Sequence, residues 1–323
     1  MQYRTLGRTG LQVSEIGFGA WGIGKSNWLG AEDEESLRAL NTAIDLGLNF
    51  IDTALGYGNG HSERLVGQVV KARSEHVYVA TKVPPKNRQW PARAGVPAHD
   101  AFPADYVIER AEESLRNLGM ETVDVLQFHV WSPEWLGQGD WLEAVQRLKE
   151  QGKIRYFGVS INDHQPDSAL GLVESGHADT VQVIYNAFDQ SPEDRLFPAC
   201  IKHNVGVIVR VPLDEGGLTG NITPDTTFPD GDFRNSYFAG DRKREVFEHV
   251  QRIVTDLGIT QEQLPEIALR FVLSNPAVST IIPGMRTVRH VERNCALGDS
   301  RGLPQEHVQR LKAQRWVRNY YGA

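Results

Sequence analysis

The sequence predicts a (β/α)8 TIM barrel, an α/β fold in which eight parallel strands alternate with helices. Short, nearly continuous apolar runs alternate with longer segments of helical periodicity along the chain, and such runs are typical of parallel strands covered on both faces. Eight strand–helix units can be counted, which is the number that closes a barrel. The 323 residues contain no Pro/Ser/Gly-rich linker, so we expect one domain over residues 1–323.

The predicted strands are apolar runs of four to six residues, rich in β-branched side chains. In chain order they are residues 16–19, 49–52, 77–81, 123–128, 154–159, 180–184, 206–209 and 278–282. The helices between them carry apolar residues at helical spacing and commonly stop at a glycine, as residues 33–46 stop at Gly47. They are residues 33–46, 62–71, 104–118, 140–150, 167–174, 192–203, 261–273 and 288–296.

Four further segments lie outside the eight units. Residues 2–15 predict a polar hairpin that covers the bottom of the barrel, and residues 304–318 predict a C-terminal helix. Residues 84–103 form a Pro-rich insertion, and residues 212–240 form a long loop before an extra helix at 241–257. The insertion and the long loop both follow the carboxyl ends of strands, where barrels build their active sites.

Composition excludes several classes of protein. The net charge of −7 and a pI near 5.8 argue against a basic nucleic-acid-binding surface. No run approaches the roughly 18 apolar residues of a membrane span, the two cysteines form no C-x-x-C motif, and no signal peptide precedes the first strand. We therefore expect a cytoplasmic protein with neither nucleic-acid nor membrane partners, and the sequence leaves its oligomeric state open.

A glycine motif invites a different fold. Gly17, Gly19 and Gly22 satisfy G-x-G-x-x-G, the dinucleotide-binding fingerprint of a Rossmann fold. That fingerprint requires a helix to begin within the motif and an acidic residue about 20 positions later. Here the helix begins near residue 33, and Asp52 lies 35 residues after Gly17. The motif is better explained as a glycine-rich loop at the mouth of the barrel.

Polar residues follow three consecutive apolar strands: Asp52 ends the second, Lys82 the third and His129 the fourth, with Tyr57 in the loop after Asp52. Polar groups at buried strand ends are costly unless they are paired or used. An ammonium ~4 Å from a phenol lowers the phenol pKa by at most about three units, which would bring Tyr57 toward the operating pH. With Asp52 orienting Lys82 and a neutral His129 donating to a carbonyl oxygen, the four residues predict protonation of an oxygen as its carbon receives a hydride. Taken singly, each of these four residues also has an ordinary structural explanation.

Around these residues the sequence resembles the aldo-keto reductases. The matching segments are residues 49–58, 79–82, 124–129, 152–160, 181–186, 212–220 and 282–287. The resemblance implies a barrel that reduces an aldehyde or ketone, a small-molecule carbonyl substrate, with NADPH in preference to NADH. It also implies that the catalytic residues are Asp52, Tyr57, Lys82 and His129.

The resemblance also implies a cofactor site, with two departures near the nicotinamide. Ile161 stands where the family has an Asn, and Asn162 follows it; Arg210 replaces an aromatic residue that stacks on the nicotinamide. The Arg210 guanidinium can stack as well, or it can pair with a carboxylate. The implied cofactor-binding residues are Ser160, Asn162, Gln182, Arg210, Pro212, Leu213, Gly216, Leu218, Gly220, Pro283, Gly284, Arg286, Thr287, His290 and Asn294.

The phosphate end of this site has independent support. Arg286 stands at the start of the helix after the eighth strand, a natural phosphate site where barrels commonly bind phosphate, and it favours NADP. Arg293 replaces the Glu that the family has beside Asn294.

Aromatic residues predict the substrate pocket. We expect Trp21, Trp28 and Trp131 to line it, and Trp90 and Trp135 to pack within loops. Two other functions remain as alternatives. One is a nucleotide-sensing barrel with vestigial reductase activity; the other is a metal-dependent hydrolase. The hydrolase would use His61, His99, Asp100 and His129, but these lack the spacing of metal ligands, so we expect no metal.

Overall fold

The computed structural model describes residues 1–317 and confirms the α/β barrel architecture. An antiparallel hairpin, β1 (Tyr3–Thr5) and β2 (Gln12–Ser14), precedes the barrel. A Cβ at Gly7, in the hairpin turn, would collide with the backbone of Gly206, so the turn can approach the barrel only with glycine there. Leu6 and Val13 pack into a cluster with residues of the barrel interior, which places the hairpin at the bottom of the barrel as expected.

Eight parallel strands form the barrel wall, and each pairs with its neighbours in the chain. They are β3 (Phe18–Gly19), β4 (Phe50–Asp52), β5 (Tyr78–Val83), β6 (Val123–Phe128), β7 (Ile154–Ser160), β8 (Thr180–Ile184), β9 (Gly206–Arg210) and β10 (Val278–Ile281). Parallel bridges from Ile16 to Ile281 and from Gly19 to Gly284 join the first strand to the last. The motif glycines Gly17 and Gly19 thus serve close strand contact rather than a Rossmann turn.

The strand bounds differ from expectation mainly at the carboxyl ends. The runs 123–128 and 180–184 match β6 and β8, whereas β5, β7 and β9 continue one or two residues further, to Val83, Ser160 and Arg210. Apolar patterning underestimates these strands because the ladder is formed by backbone groups, which continue to pair where the side chains become polar. Lys82, Ser160 and Arg210 therefore lie within the ladder, where their backbone positions are fixed.

Helices surround the barrel and extend its carboxyl face. They are α1 (Asp33–Asp45), α2 (His61–Lys71), α3 (Ala98–Ala101), α4 (Ala104–Leu118), α5 (Trp141–Glu150), α6 (Leu170–Ser175), α7 (Leu196–His203), α8 (Arg234–Tyr237), α9 (Arg242–Leu257), α10 (Leu264–Leu273), α11 (Val288–Cys295) and α12 (Gln305–Ala313). Short 3-10 turns, Pro166–Ala169 and Ser191–Glu193, precede α6 and α7, so both helices start later than predicted. The C-terminal helix ends at Ala313, five residues before its predicted end; residue 318 lies outside the described part. None of the helices in residues 1–317 has the length and apolarity needed to cross a membrane.

Candidate active site

A buried ion pair lies at the carboxyl ends of β4 and β5. Lys82 Nζ is 2.5 Å from Asp52 Oδ1, and it also donates to the carbonyl oxygen of Thr53 at 2.8 Å and to Tyr57 Oη at 3.2 Å. These contacts use all three ammonium hydrogens. Burial alone would lower the pKa of Lys82, but the Asp52 carboxylate and Tyr57 together outweigh burial and raise it. The lysine is therefore a fixed cation against the Tyr57 hydroxyl.

The second oxygen of Asp52 is held by two amides. Gln182 Nε2 donates to Asp52 Oδ2 at 2.7 Å, and Gln127 Nε2 donates to the same oxygen at 3.2 Å. A buried ion pair is tolerated when further hydrogen bonds satisfy it, as here. We did not anticipate Gln127 from the sequence; the signal was an amide in β6 at the alternating position that follows Val123 and Val125, where a side chain points into the barrel.

The expected lowering of the Tyr57 pKa does not occur in this structure. Burial raises the pKa of Tyr57 above 10, the Lys82 ammonium opposes that shift, and the Asp52 carboxylate adds to it. The prediction was wrong because it counted the lysine and neglected both burial and the aspartate that largely neutralises the lysine. Tyr57 is thus a neutral phenol at pH 7 and holds a proton that it can donate.

His129 is the fourth of the predicted catalytic residues. Its ring lies edge-on to that of Tyr57, with the centroids 5.6 Å apart. Burial, together with the charges of Lys82 and Arg210, lowers the pKa of His129 well below 6.5, so the imidazole is neutral. Nδ1 is buried without a hydrogen-bond partner, which leaves Nε2 as the nitrogen that can donate to a ligand. The structure therefore brings together all four predicted catalytic residues.

Tyr57 and His129 open into a cavity of about 1320 Å³. This exceeds the roughly 300–1,000 Å³ of typical small-ligand sites, so it can hold a dinucleotide as well as a small substrate. Trp21 and Trp28 line it as expected, with ring centroids 5.5 Å apart, and Phe233 lies 5.1 Å from Trp21. Trp90 also lines the cavity, and its ring meets His129 edge-on at 4.6 Å.

Two of the tryptophan assignments need correction. Trp131 was expected in the pocket but is fully buried in the core, where its ring packs against Trp135 and Trp141 at 5.9 and 5.5 Å. Trp90 was expected to pack within its loop but is 42% exposed and faces His129. Both tryptophans lie in loops at the carboxyl face. The local sequence does not reveal which side chain faces the cavity and which packs into the core.

The residues expected at the nicotinamide carboxamide differ in how many of their hydrogen-bonding atoms are already used by the protein. Ser160, Asn162 and Gln182 all line the cavity. Gln182 uses its NH2 group on Asp52 and on Gln127 Oε1, which leaves its carbonyl oxygen free to accept. Asn162 is engaged through both ends of its amide by the backbone of Ala92. Ser160 and Gln182 are therefore the better-placed pair.

Arg210 lies at the end of β9, beside the catalytic group. Its Nη2 donates to the carbonyl oxygen of Ile161 at 2.8 Å and is 2.5 Å from Asp163 Oδ1. The strand-end arginine thus pairs with a carboxylate, one of the two possibilities left open by the sequence. This bridge fixes the guanidinium in the cavity wall, joining the loop after β7 to β9.

The far end of the cavity is strongly cationic. Arg286, Arg289, His290 and Arg293 line it together with Asn294, from the approach to α11 and along one face of that helix. Within residues 1–317, none of these arginines forms a salt bridge with a carboxylate. The cations crowd one another: burial and the three arginine charges lower the pKa of His290. An anionic group such as a phosphate would supply the charge that this cluster lacks.

The loop after β9 forms the wall between these two ends. Pro212, Leu213 and Gly216 line the cavity, as do Pro283 and Gly284 across from them. The remaining predicted cofactor residues lie outside the lining: Leu218 is fully buried, Gly220 is a buried glycine with φ +77°, and Thr287 caps α11 by accepting from His290 N–H at 3.3 Å. Such residues shape the loop and the helix start rather than offering side chains to the cavity.

Glu215 also lines the cavity and was not among the predicted residues. Its backbone is left-handed, with φ +51°. Burial raises the pKa of Glu215 to about 8, although the Arg210 charge opposes that shift.

The hydrolase alternative requires its ligands to converge. His61 instead lies 2.9 Å from Asp33, and His99 lies 3.0 Å from its neighbour Asp100. Across residues 1–317, no three His, Cys, Asp or Glu side chains are grouped so that they could hold a metal ion. The structure thus places the histidines of that alternative in separate local pairs.

Comparisons with known proteins extend along nearly the whole chain. The profile of the "Aldo/keto reductase family" matches residues 15–315. The NADH-specific methylglyoxal reductase of Escherichia coli is 29% identical over 304 residues, which cover 90% of this chain and 91% of that protein. The holo form of aldo-keto reductase AKR11C1 from Bacillus halodurans is 26% identical with a TM-score of 0.76, covering 98% of this chain and 96% of that one. An aldo/keto reductase from Klebsiella pneumoniae in complex with NADP and acetate is 26% identical with a TM-score of 0.68, covering 97% and 95% of the two chains.

Proposed function

The chain belongs to the aldo/keto reductase family, and from this premise we propose that it reduces the carbonyl group of an aldehyde or ketone with NADPH. In this proposal Tyr57 is the general acid, Lys82 and Asp52 set its electrostatic environment, and His129 orients the carbonyl oxygen. The observation that carries the proposal is the convergence of these four side chains beside a cavity of about 1320 Å³, which Asp52, Tyr57 and His129 line.

Each residue contributes a separate part of the reaction. NADPH, when bound, supplies the hydride. Tyr57 Oη donates its proton to the carbonyl oxygen, and the resulting phenolate is stabilised by Lys82 Nζ, 3.2 Å away. His129 Nε2 donates a hydrogen bond to the same oxygen, which holds the carbonyl beside Tyr57 and favours the developing negative charge. Asp52, held by Gln127 and Gln182, keeps the lysine in place.

The test of this activity is a panel of aldehydes and ketones, with NADPH oxidation followed by its absorbance and the panel repeated with NADH. We expect turnover with at least one aldehyde and faster turnover with NADPH. If NADPH binds and no carbonyl in the panel is reduced, the nucleotide-sensing alternative replaces the reductase.

We propose the preference for NADPH because the arginines at the far end of the cavity form no salt bridge within residues 1–317, although Arg286 Nη1 donates to the carbonyl oxygen of Leu29 at 2.6 Å. Arg286 and Arg293 would contact the 2′-phosphate, which NADH lacks. We expect Arg286→Met to weaken NADPH binding by about 10- to 100-fold, as loss of a charge-assisted contact does, and to change NADH binding little. Protein fluorescence titrations with each cofactor measure this ratio. Equal losses for both cofactors would show that Arg286 does not contact the 2′-phosphate. One relative is NADH-specific by name, so the ratio must be measured for this chain.

A further inference from the structure

A single amide side chain joins the end of β7 to the insertion that carries Trp90. Asn162 Oδ1 accepts the backbone N–H of Ala92 at 3.2 Å, and Asn162 Nδ2 donates to the carbonyl oxygen of Ala92 at 3.1 Å. The second hydrogen of Nδ2 goes to Gln165 Oε1 at 3.0 Å. The residue is only 6% exposed, and both of its donor hydrogens are used. Asn162 therefore holds the peptide groups of Ala92 in the way a neighbouring strand would.

Among hydrogen bonds, this connection is the main restraint on the middle of the insertion, where Ala92 also packs against the core. Within residues 1–317, the only hydrogen bonds made by residues 90–94 are the two with Asn162. The flanks are held separately: Lys86 N–H donates to the carbonyl oxygen of Ala101, Gly95 N–H donates to Glu134 Oε2 at 2.6 Å, and Trp135 Nε1 donates to the carbonyl oxygen of Val96 at 2.8 Å. The position of the segment 90–94 over the barrel mouth thus depends on Asn162.

Trp90 is the functional part of that segment. It stands two residues before Ala92, and its ring meets the His129 ring edge-on at 4.6 Å while remaining 42% exposed. Trp21 forms the opposite wall, 6.3 Å from the Tyr57 ring. A carbonyl oxygen held between Tyr57 and His129 would place its substituents between these two tryptophans.

We propose that Asn162 is a positioning residue for the substrate wall, which holds segment 90–94 so that Trp90 stands over His129, rather than a ligand of the nicotinamide. The proposal rests on the proposed reductase function, since it assigns the Trp90 side of the cavity to the carbonyl substrate. It follows from where the Asn162 hydrogen bonds go: an amide that already donates both hydrogens to the protein has none left for a cofactor. Ser160 and Gln182 remain to contact the carboxamide.

The experiment compares Asn162→Ala, Trp90→Ala and the double variant. Benzaldehyde reduction gives KM and kcat, fluorescence titration gives the NADPH Kd, and hydrogen exchange reports on residues 88–96. We expect Asn162→Ala to lower kcat/KM about 10- to 100-fold, chiefly through KM, because displaced positioning groups have effects of that size. The NADPH Kd should stay within about twofold of the wild type, and exchange at Ala92 should accelerate. Because Asn162 acts through Trp90, the double variant should lose no more than Trp90→Ala alone.

Gln165→Ala is the matched control, because it removes the third hydrogen bond of Asn162 without touching Ala92; we expect wild-type kinetics and exchange from it. A weakened NADPH Kd in Asn162→Ala with unchanged exchange at Ala92 would overturn the proposal, as would additive losses in the double variant. A wild-type protein that reduces no carbonyl overturns the proposed function itself, whereas an active wild type with an equally active Asn162→Ala overturns only the positioning role.

Discussion

Replacing Lys82 by methionine separates the electrostatic part of the site from its shape. The side chains are similar in length, and methionine adapts to irregular cavities, so the change mainly deletes the charge and its three contacts at 2.5, 2.8 and 3.2 Å. Asp52 would then be buried with only two amide donors, Gln127 and Gln182. Removing one partner of a buried ion pair typically costs ~3–5 kcal/mol, and we expect a loss of this size in the free energy of unfolding. Urea denaturation followed by tryptophan fluorescence measures it.

The double variant Asp52→Asn, Lys82→Met provides the decisive comparison. It removes the uncompensated carboxylate as well, so we expect it to be at least as stable as Lys82→Met alone, while reductase activity stays lost in both. Lys86→Met, an exposed lysine four residues further along, is the control and should change unfolding by less than about 0.5 kcal/mol. A Lys82→Met variant within about 1 kcal/mol of wild type, or a double variant that is less stable than Lys82→Met, would refute this account of the ion pair.

Two further predictions concern the cavity wall and the core. Because the pKa of Glu215 is raised to about 8, a carboxylate forms in the cavity wall, in the loop after β9, as the pH rises through that value. NADPH affinity should then fall in the wild type and stay flat in Glu215→Gln. Fluorescence titrations from pH 6.5 to 9.5 measure this, and parallel slopes for the two proteins would contradict it. Trp131→Ala should cost ~3–5 kcal/mol in unfolding free energy, because it empties a fully buried site, with KM for carbonyls little changed. A marked rise in KM without loss of stability would instead return Trp131 to the substrate pocket.

The fold could be predicted well from sequence because its signals are local. Helix α4 matches its predicted bounds, 104–118, because its apolar face is uninterrupted and Gly119 supplies the left-handed residue that ends it. The errors arose where local pattern and backbone pairing diverge. Strand β5 continues through Lys82 to Val83 although the predicted run ends at residue 81. Pro166 and Pro192 lie in short 3-10 turns that replace the predicted first turns of α6 and α7.

The site could be predicted only in part, because its chemistry depends on distances that sequence does not contain. The spacing of Asp52, Tyr57, Lys82 and His129 on successive strand ends was enough to expect them together. The direction of the pKa shift of Tyr57 could not be predicted in this way, because it depends on burial and on how closely Asp52 approaches Lys82.

Long-range packing accounts for the other misses. Trp90 faces the cavity whereas Trp131 is buried in the core. This difference is decided by contacts between loops that are distant in sequence. Asn162 likewise finds its partner in Ala92, 70 residues away.

The most direct test of the account is single-turnover hydride transfer in Tyr57→Phe. Enzyme preloaded with NADPH is mixed with an aldehyde that the wild type reduces, and the loss of NADPH absorbance is followed by stopped flow. Phenylalanine keeps the ring packing against Trp21 and His129 but has no proton to donate. We expect the NADPH Kd to be unchanged and the transfer rate to fall by about 10²- to 10⁴-fold, the usual contribution of a general acid. A transfer rate within about tenfold of the wild type would contradict the assignment of Tyr57 as the proton donor.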